Sequence, residues 1–378
     1  MKLSKPLLGF LIILISAIKA DLLTPKQYTI GLFCLAIDHE MERVIREKLK
    51  SESEDSPRYT ELLKSLCRIP STYMKFLNLR GIKFMPIFYN NNDVNVYMEQ
   101  MNYIDGVLLI GGTVYTNYQT IQPINEKSDY RIFRLEPSTY NEYYEAVNRI
   151  VKKAKEINDG GRKFLILGIC MGFEGLLMSE TNFKPKLYFI KNNNYQRSIN
   201  YQIPIVNNSM SKLKQFIGPE NSKLFAENNA AYFFHNYGVS LENFITDPEI
   251  YNKFMPVATF QVDNTKQPID FVAAYEHRKY PFFGLQFHPE KILFETNPAM
   301  KNLVKNDLTS QLSTLYIDFI YSELQNGAAG NPVPQDYIKK YSCPRYPFID
   351  LLIFHEVYVY DCLNFLNRNW TFIPAVYK

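Results

Sequence analysis

One cysteine of the sequence is placed where a nucleophile would be presented. Cys170 lies between an apolar run, Phe164–Leu167, and a helix-like segment, Phe173–Met178, with Gly168 before it and Gly172 after it. This pattern is typical of a nucleophile elbow, a tight strand-to-helix turn. The N-terminal amides of the helix would lower the pKa of the thiol and favour the thiolate. We therefore predict a nucleophile, although a buried, inert cysteine with packing glycines has the same pattern.

A histidine and a glutamate further along the chain have the types and spacing of a base and its orienting group. His288 and Glu290 follow the apolar segment Phe283–Phe287, a predicted strand, and Pro289 separates them. At a strand end both side chains can project to the same side. A cysteine nucleophile needs such a base, and the base needs a partner that fixes its tautomer. We predict these roles here, although a histidine at a strand end is also common as a surface or capping residue.

The elements that must position these residues alternate between strand and helix in the first half of the chain. Apolar runs predict buried strands, and helical spacing predicts helices between them. The predicted strands are Tyr28–Leu35, Lys83–Phe88, Gly106–Ile110 and Phe164–Leu167. The predicted helices are residues 59–79, with a break at Ile69-Pro70, Val94–Met101, and Tyr140–Ile157 with Ser138 as its N-cap. This alternation predicts an α/β fold with a largely parallel central sheet and helices on both faces.

In such sheets ligands bind at the carboxyl ends of the strands, where both Gly111-Gly112 and Cys170 fall. The second half of the chain differs, because its segments are short and β-like with little predicted helix between them. We predict a more antiparallel region formed by Leu187–Ile190, Tyr201–Val206, Ala231–Phe234, Met255–Val262 and Phe271–Glu276. A closing helix, Asn302–Leu324, is predicted next, followed by a break and a tail rich in Tyr and Phe.

Composition excludes some classes of function. The 378 residues are 46% apolar and 21% charged, an ordinary globular composition. Lys2 and Lys5, the apolar run Leu7–Ile18 and the small Ala20 predict a secretory signal peptide over residues 1–20, with an uncleaved N-terminal anchor as the alternative. Its removal would leave 39 basic and 38 acidic residues. A nearly neutral chain without a long basic block gives no support for nucleic-acid binding.

The sequence has five cysteines, so a secreted chain would have at least one free thiol. An odd number of cysteines in a secreted protein leaves at least one unpaired, and Cys170 would be that one. The remaining four could pair, but their spacing does not fix the pairing, and Cys343 with Cys362 is only the most local possibility. Asn207-Asn208-Ser209 and Asn369-Trp370-Thr371 are glycosylation sequons in a secreted chain.

Several segments together resemble a known family. The segments Gly168–Glu174 and Phe283–Lys291 are similar to those of class I glutamine amidotransferases, and more specifically to gamma-glutamyl hydrolases. Further segments fit the latter family: Ile69–Leu77, Leu109–Val114, Phe233–Ser240, and Glu290-Lys291 followed by Phe294-Glu295. The resemblance covers about residues 29–325 with order and approximate spacing preserved. The first strand matches loosely, and an acidic loop within residues 47–58 and the tail from 331 to 378 have no clear counterpart.

The resemblance implies roles for particular residues. Cys170 would attack a γ-glutamyl amide carbon to form a thioester, His288 would move the proton, and Glu290 would orient His288. The backbone amides of Met171 and of the Gly111-Gly112 loop would form the oxyanion hole. No metal or other cofactor is implied.

Two further residues match the family near the site. His235 would have a supporting role in substrate binding, although it could equally be a polar residue that caps a strand. Glu174 matches a glutamate that follows the nucleophile, but a first-turn carboxylate stabilised by the helix dipole explains it as well.

The predicted organisation is a signal peptide at 1–20, a catalytic domain at 21–327 and an aromatic-rich extension at 328–378. The apolar stretch Phe348–Phe354 of the extension would pack on the main domain or in an oligomer interface. The expected function is hydrolysis of poly-γ-glutamates, with folate as the head group, in the extracellular space, lysosome or vacuole. The expected partner is the small-molecule substrate, with no membrane contact after signal cleavage and a possible homodimer. The alternatives are a glutamine amidotransferase-type glutaminase and a catalytically inactive binding protein on the same fold.

Overall fold

The computed structural model describes eleven segments of the chain: residues 26–37, 66–89, 94–112, 132–133, 142–181, 187–190, 194–262, 268–298, 300–341, 345–348 and 357–361. The predicted signal peptide, the acidic loop, the Asn369 sequon, Cys343 and Cys362 lie outside these residues. So do Ser138, the predicted N-cap, and most of the apolar stretch Phe348–Phe354.

The described helices and strands are as follows. The strands are β1 (Thr29–Phe33), β2 (Leu35–Ala36), β3 (Leu66–Pro70), β4 (Lys83–Ile87), β5 (Gly106–Leu109), β6 (Ile132–Phe133), β7 (Leu165–Ile169), β8 (Leu187–Phe189), β9 (Asn194–Arg197), β10 (Ala231–Phe234), β11 (Tyr237–Gly238), β12 (Phe254–Val262), β13 (Ile269–His277), β14 (Phe282–Leu285), β15 (Arg345–Phe348) and β16 (Val357–Asp361). The helices are α1 (Ser71–Asn78), α2 (Val94–Gln100), α3 (Glu142–Asp159), α4 (Met171–Glu180), α5 (Lys212–Glu227), α6 (Leu241–Thr246), α7 (Pro248–Tyr251), α8 (Pro289–Phe294), α9 (Asp307–Gln325) and α10 (Gln335–Tyr341).

The main sheet has seven strands in the order β12-β13-β14-β7-β5-β1-β4. The pairs from β14 to β4 are parallel, whereas β12, β13 and β14 pair antiparallel. The parallel strands β1, β5, β7 and β14 are buried along their whole length, as their continuous apolar runs require. The predicted α/β fold, with a largely parallel sheet and a more antiparallel part, is confirmed.

The strand order also locates the crevice in which a site can form. The chain passes from β1 to β4 on one side and then back across β1 to β5 on the other. Because crossover connections are right-handed, this reversal places the connecting helices on opposite faces of the sheet. Ligands bind in α/β sheets at such a reversal, outside the carboxyl ends of the strands. The Gly111-Gly112 segment after β5 and Cys170 after β7 both lie at this edge.

Three local predictions in other parts of the chain were wrong. Helix α5 lies in the second half, where we predicted little helix. Residues 201–206 form turns rather than a strand, because the side-chain amide of Asn208 donates to the carbonyl of Tyr201 and holds the segment back against Val257. Residues 66–70 form strand β3 rather than part of a helix, because β2 and β16 pair with them on either side.

The described part of the C-terminal extension packs on the rest of the chain. Strand β16 pairs antiparallel with β3 over five residue pairs, and β15 pairs with β16. On α10, the buried Tyr337 lies against Tyr103, with the ring centroids 4.1 Å apart. Among the described residues no helix combines the length and apolar character of a membrane span.

Candidate active site

The turn that carries Cys170 is strained, and its two glycines are sterically required. Cys170 has φ 55° and ψ −110°, and it is the only residue other than glycine with positive φ in the described part of the chain. A side chain at Gly172 would overlap the carbonyl oxygen of Leu109, and one at Gly168 would overlap that of Gly172. Since strained backbone persists only where the surroundings enforce it, the packing of β5, β7 and α4 fixes the position of the thiol.

The predicted base lies on the neighbouring strand connection. In the parallel pair of β14 and β7, Leu285 lies opposite Ile169, so His288 and Cys170 leave the sheet at the same edge. The backbone amide of His288 donates to the carbonyl of Tyr232 at 2.8 Å, which anchors the segment to β10. Pro289 begins the short helix α8, so His288 caps a helix, in contrast to our prediction of a plain strand end.

The His288 ring is oriented by a buried carboxylate. Its Nδ1 lies 2.7 Å from Oε1 of Glu290, and both side chains are buried. Because a carboxylate accepts, Nδ1 carries the proton and Nε2 keeps its lone pair. Among the described residues Nε2 has no hydrogen-bond partner. A buried basic nitrogen is therefore available to take a proton.

Gly111 lies at the centre of the predicted site. A Cβ atom built on Gly111 would lie 2.8 Å from Cε1 of His288, 3.0 Å from Cβ of Cys170 and 2.8 Å from the hydroxyl oxygen of Tyr73. The structure thus brings the cysteine, the histidine and the glycine loop together around one point. Gly112 lies beside them, with its Cα against the side chain of Leu35.

The amides predicted to form the oxyanion hole differ in their present partners. The Met171 amide lies beside the thiol of Cys170 and acts to lower its pKa. The Gly111 amide donates instead to the hydroxyl oxygen of Tyr73 at 2.8 Å. One of the predicted donors is therefore hydrogen-bonded to a side chain.

The expected low pKa of the thiol is not found. Burial, together with the nearby Glu174 carboxyl, raises the pKa of Cys170 far above its ordinary value, and the Met171 amide only partly opposes this. The thiol instead donates to the carbonyl oxygen of Phe234 at 3.6 Å. The prediction based on the helix N-terminus was wrong because desolvation outweighs the helix amides. The resting thiol is neutral, so a base has to remove its proton.

Glu174 lies in the first turn of α4, and its side chain is buried. Its described hydrogen bond is a long one, from Nε2 of Gln286 at 3.4 Å. Burial raises the pKa of Glu174 to about 8, so the carboxyl group is largely protonated at neutral pH. A stabilised first-turn carboxylate, one of the two interpretations of the sequence, is therefore not what the structure contains.

His235 follows β10 directly after Phe234, whose carbonyl accepts from Cys170. Nδ1 of His235 lies 2.5 Å from the carbonyl oxygen of Tyr237, and burial lowers the pKa of His235 to about 3. The ring is thus neutral near the site, which suits a hydrogen-bonding role better than a charged one.

Two neighbours of the site could not be chosen from the sequence. Tyr73 is on α1, about 100 residues before Cys170, and although it lies in the segment Ile69–Leu77 that resembles the family, no pattern in the sequence gave its hydroxyl a role. Gln286 stands two residues before His288, but only the structure shows its bond to Glu174. Within the described segments no group of three or more His, Cys, Asp or Glu residues is arranged to hold a metal ion.

Comparison with known proteins places this site in a family. A model of the family described as glutamine amidotransferase class-I matches residues 84–307, more than half of the chain. The chain belongs to the class-I glutamine amidotransferase family. The match includes the Gly111-Gly112 loop, Cys170 and the His288-Glu290 pair.

Within the class-I amidotransferases, the similar curated proteins are named gamma-glutamyl hydrolases. Gamma-glutamyl hydrolase 1 of Arabidopsis thaliana is 28% identical over 229 residues, which cover 60% of this chain and 57% of that protein. The Rattus norvegicus and Mus musculus gamma-glutamyl hydrolases are 28% and 29% identical, and the match covers 60% of this chain and 62% of each of them. The match thus spans less than two thirds of the length of these relatives. The resemblance to gamma-glutamyl hydrolases that we predicted from the sequence is confirmed.

Proposed function

We propose that this protein is a cysteine hydrolase of γ-glutamyl amide bonds in poly-γ-glutamates, with folyl polyglutamates as the expected substrates. The observation that carries the proposal is Nε2 of His288, which has no hydrogen-bond partner among the described residues and lies with Cys170 around Gly111, while Glu290 orients the ring through Nδ1. The names of the curated relatives supply the γ-glutamyl bond.

The first half-reaction would proceed as follows. Nε2 of His288 takes the thiol proton as Sγ of Cys170 attacks the γ-carbonyl carbon, giving a tetrahedral oxyanion. The Met171 amide and the amides of the Gly111-Gly112 loop would stabilise this oxyanion. As the C–N bond breaks, the imidazolium returns the proton to the leaving amine, which departs as free glutamate or as a γ-linked oligoglutamate. A thioester on Cys170 remains.

The second half-reaction would return the enzyme to its starting state. His288 takes a proton from water, and the resulting hydroxide attacks the thioester carbon. The C–S bond then breaks, the thiolate of Cys170 regains the proton, and the acyl group leaves as a free γ-carboxylate. The raised pKa of Cys170 fits this cycle, because the thiol loses its proton only when His288 and the substrate act together.

The chemistry separates this proposal from a glutaminase. A γ-glutamyl peptide presents the same acyl group as glutamine, with a larger amine in place of ammonia. We expect the purified protein to release glutamate from pteroylpentaglutamate between pH 4 and 8, and to leave the α-linked isomer intact. Ammonia release from glutamine without cleavage of the γ-linked oligomer would contradict the proposal and support the glutaminase alternative.

We further propose that the protein passes through the secretory pathway. The signal-like residues 1–20 support this, and so does the exposed Asn207 of the first sequon, whose Oδ1 accepts from the Ser209 hydroxyl at 2.7 Å. After secretion from eukaryotic cells, peptide-N-glycosidase should increase the electrophoretic mobility of the protein. The shift should become smaller in Asn207→Gln, and a wild-type chain that carries no N-glycan would contradict the proposal.

A further inference from the structure

One tyrosine links the two parts of the candidate site. Tyr73 is the third residue of α1 and is fully buried, with 0% of its surface exposed. Helix α1 packs against α8, the helix that begins directly after His288 and carries Glu290. A Cβ atom built on Gly111 would lie 2.8 Å from the Tyr73 hydroxyl oxygen and 2.8 Å from Cε1 of His288, the ring that Glu290 orients.

The hydrogen bonds of this hydroxyl can be assigned by counting. A phenol has one proton to donate and two lone pairs. The hydroxyl oxygen of Tyr73 accepts from the Gly111 amide at 2.8 Å, so its own proton remains to be donated. Burial, followed by the charges of Glu290 and Cys170, raises the pKa of Tyr73 well above its ordinary value. The phenol thus keeps its proton at neutral pH.

The candidate acceptor for that proton is the carboxylate of Glu290. Its Oε1 is bonded to His288, whereas Oε2 is buried and has no partner with normal hydrogen-bond geometry among the described residues. The Tyr73 hydroxyl lies within interaction range of this carboxylate. No hydrogen bond of normal geometry therefore joins the two groups among the described residues, although Tyr73 has a proton to donate and Oε2 of Glu290 has lone pairs to accept it.

We propose that Tyr73 is a positioning residue for the reaction, which ties the Gly111 loop to Glu290 and thereby holds Glu290 on His288. A positive charge forms on His288 when it takes the thiol proton, and Glu290 must then stay charged and in place. A second donor on Glu290 restricts the rotation of its side chain. This role rests on the proposed function, and it concerns the His288 base rather than the identity of the substrate.

The test uses a reaction that requires the base but no γ-glutamyl substrate. Iodoacetamide alkylates the thiolate of Cys170, so its rate at neutral pH reports proton removal from the thiol. The rate is measured by mass spectrometry of the Cys170 peptide in wild type, Tyr73→Phe, Glu290→Gln and the double variant. We expect alkylation to slow about 10-fold in Tyr73→Phe and about 100-fold in Glu290→Gln.

The double variant decides between positioning and simple packing. If Tyr73 acts through Glu290, the double variant should be slower than Glu290→Gln by no more than about 2-fold, because coupled residues are not additive. If the two effects multiply, or if Tyr73→Phe alkylates at the wild-type rate, the proposal is overturned. The same four proteins, assayed on pteroylpentaglutamate, should show the loss in kcat and not in KM.

A matched variant controls for the loss of a buried hydroxyl. Tyr201 is also fully buried, and its hydroxyl lies 2.6 Å from that of Tyr316, away from the candidate site. Tyr201→Phe should keep the wild-type alkylation rate. If Tyr73→Phe does not fold, Tyr73→Met also removes the hydroxyl and adapts to the space more easily. A protein that shows the coupling but does not cleave pteroylpentaglutamate would refute the proposed function and leave the positioning role standing.

Discussion

The two parts of the candidate site are held in place by different means. The position of the nucleophile depends on the backbone. Cys170 has a positive φ, and Gly168 and Gly172 have no side chains that would prevent the close approach of the strands and the helix. The base depends on side chains, since Glu290 fixes the His288 ring. Backbone geometry is therefore decisive for stability at the elbow, whereas hydrogen bonding is decisive for activity at the base. The two parts should respond differently to substitution.

The largest effect on activity is expected on the base side. Glu290→Gln keeps the shape of the side chain but lets the amide present a donor to Nδ1, which favours the wrong tautomer of His288. We expect kcat/KM on a γ-glutamyl substrate to fall about 1000-fold, equivalent to about 4 kcal/mol. The melting temperature should change little.

Glu276→Gln is the matched control for Glu290→Gln. Glu276 is also a buried glutamate, but it accepts from Ser211 and from the Leu213 amide, outside the candidate site. The activity of Glu276→Gln should stay close to that of the wild type. Equal losses in the two variants would contradict a specific role for Glu290.

The largest effect on stability is expected on the nucleophile side. In Gly172→Ala the new methyl group would overlap the carbonyl oxygen of Leu109, which is backbone and cannot turn aside. We expect the free energy of unfolding in urea to fall by about 3 kcal/mol. Gly175→Ala in the same helix is the control, because its nearest neighbour, Cε1 of Tyr143, would be 3.5 Å away. That variant should gain about 0.5–1 kcal/mol from helix propensity, and equal destabilisation of both variants would contradict the steric explanation.

The C-terminal extension supports the base side, because β16 pairs with β3 directly before α1 and Tyr73. Deletion of residues 331–378 removes this pairing and the contact of Tyr337 with Tyr103. We expect a loss of about 2 kcal/mol in unfolding free energy, from a few net hydrogen bonds and buried rings. An unchanged melting temperature and oligomeric state would show that the extension does not pack on the main domain.

A smaller effect is expected in the pH dependence of stability, and it arises from Glu174 on the nucleophile side. Because the pKa of Glu174 is about 8 in the native protein, against an ordinary 4.5, the unfolded chain binds fewer protons between these values. Stability should therefore fall as the pH rises from about 4.5 to 8. Glu174→Gln removes this contribution, so its unfolding free energy relative to wild type should grow with pH inside that window, by up to about 1.4 kcal/mol per pH unit. A pH-independent difference between the two proteins would contradict the raised pKa.

The nucleophile side was easier to predict than the base side for a physical reason. The glycine spacing around Cys170 and the apolar runs of β5 and β7 are local signals, and they placed the elbow at the correct edge of the sheet. The His288-Glu290 pair is also local and was found. Tyr73 reaches the site only through the packing of α1 against α8, which no local pattern encodes.

Other errors have the same origin in long-range contacts. Strand β3 has helical spacing in its sequence but is held extended by β2 and β16, whose residues lie far away in the chain. The pKa of Cys170 depends on burial and on Glu174, which only the folded structure reveals. Local pattern therefore predicted which residues come together, and tertiary packing determined their charge states.

The most direct test of the account is the response of Cys170→Ala to pteroylpentaglutamate. The substitution removes only the sulfur, at a site where the backbone is fixed by its neighbours. We predict that the variant keeps the wild-type melting temperature and releases no glutamate above the rate in buffer. Glutamate release at a rate comparable to that of the wild type would contradict the central claim that Cys170 is the nucleophile.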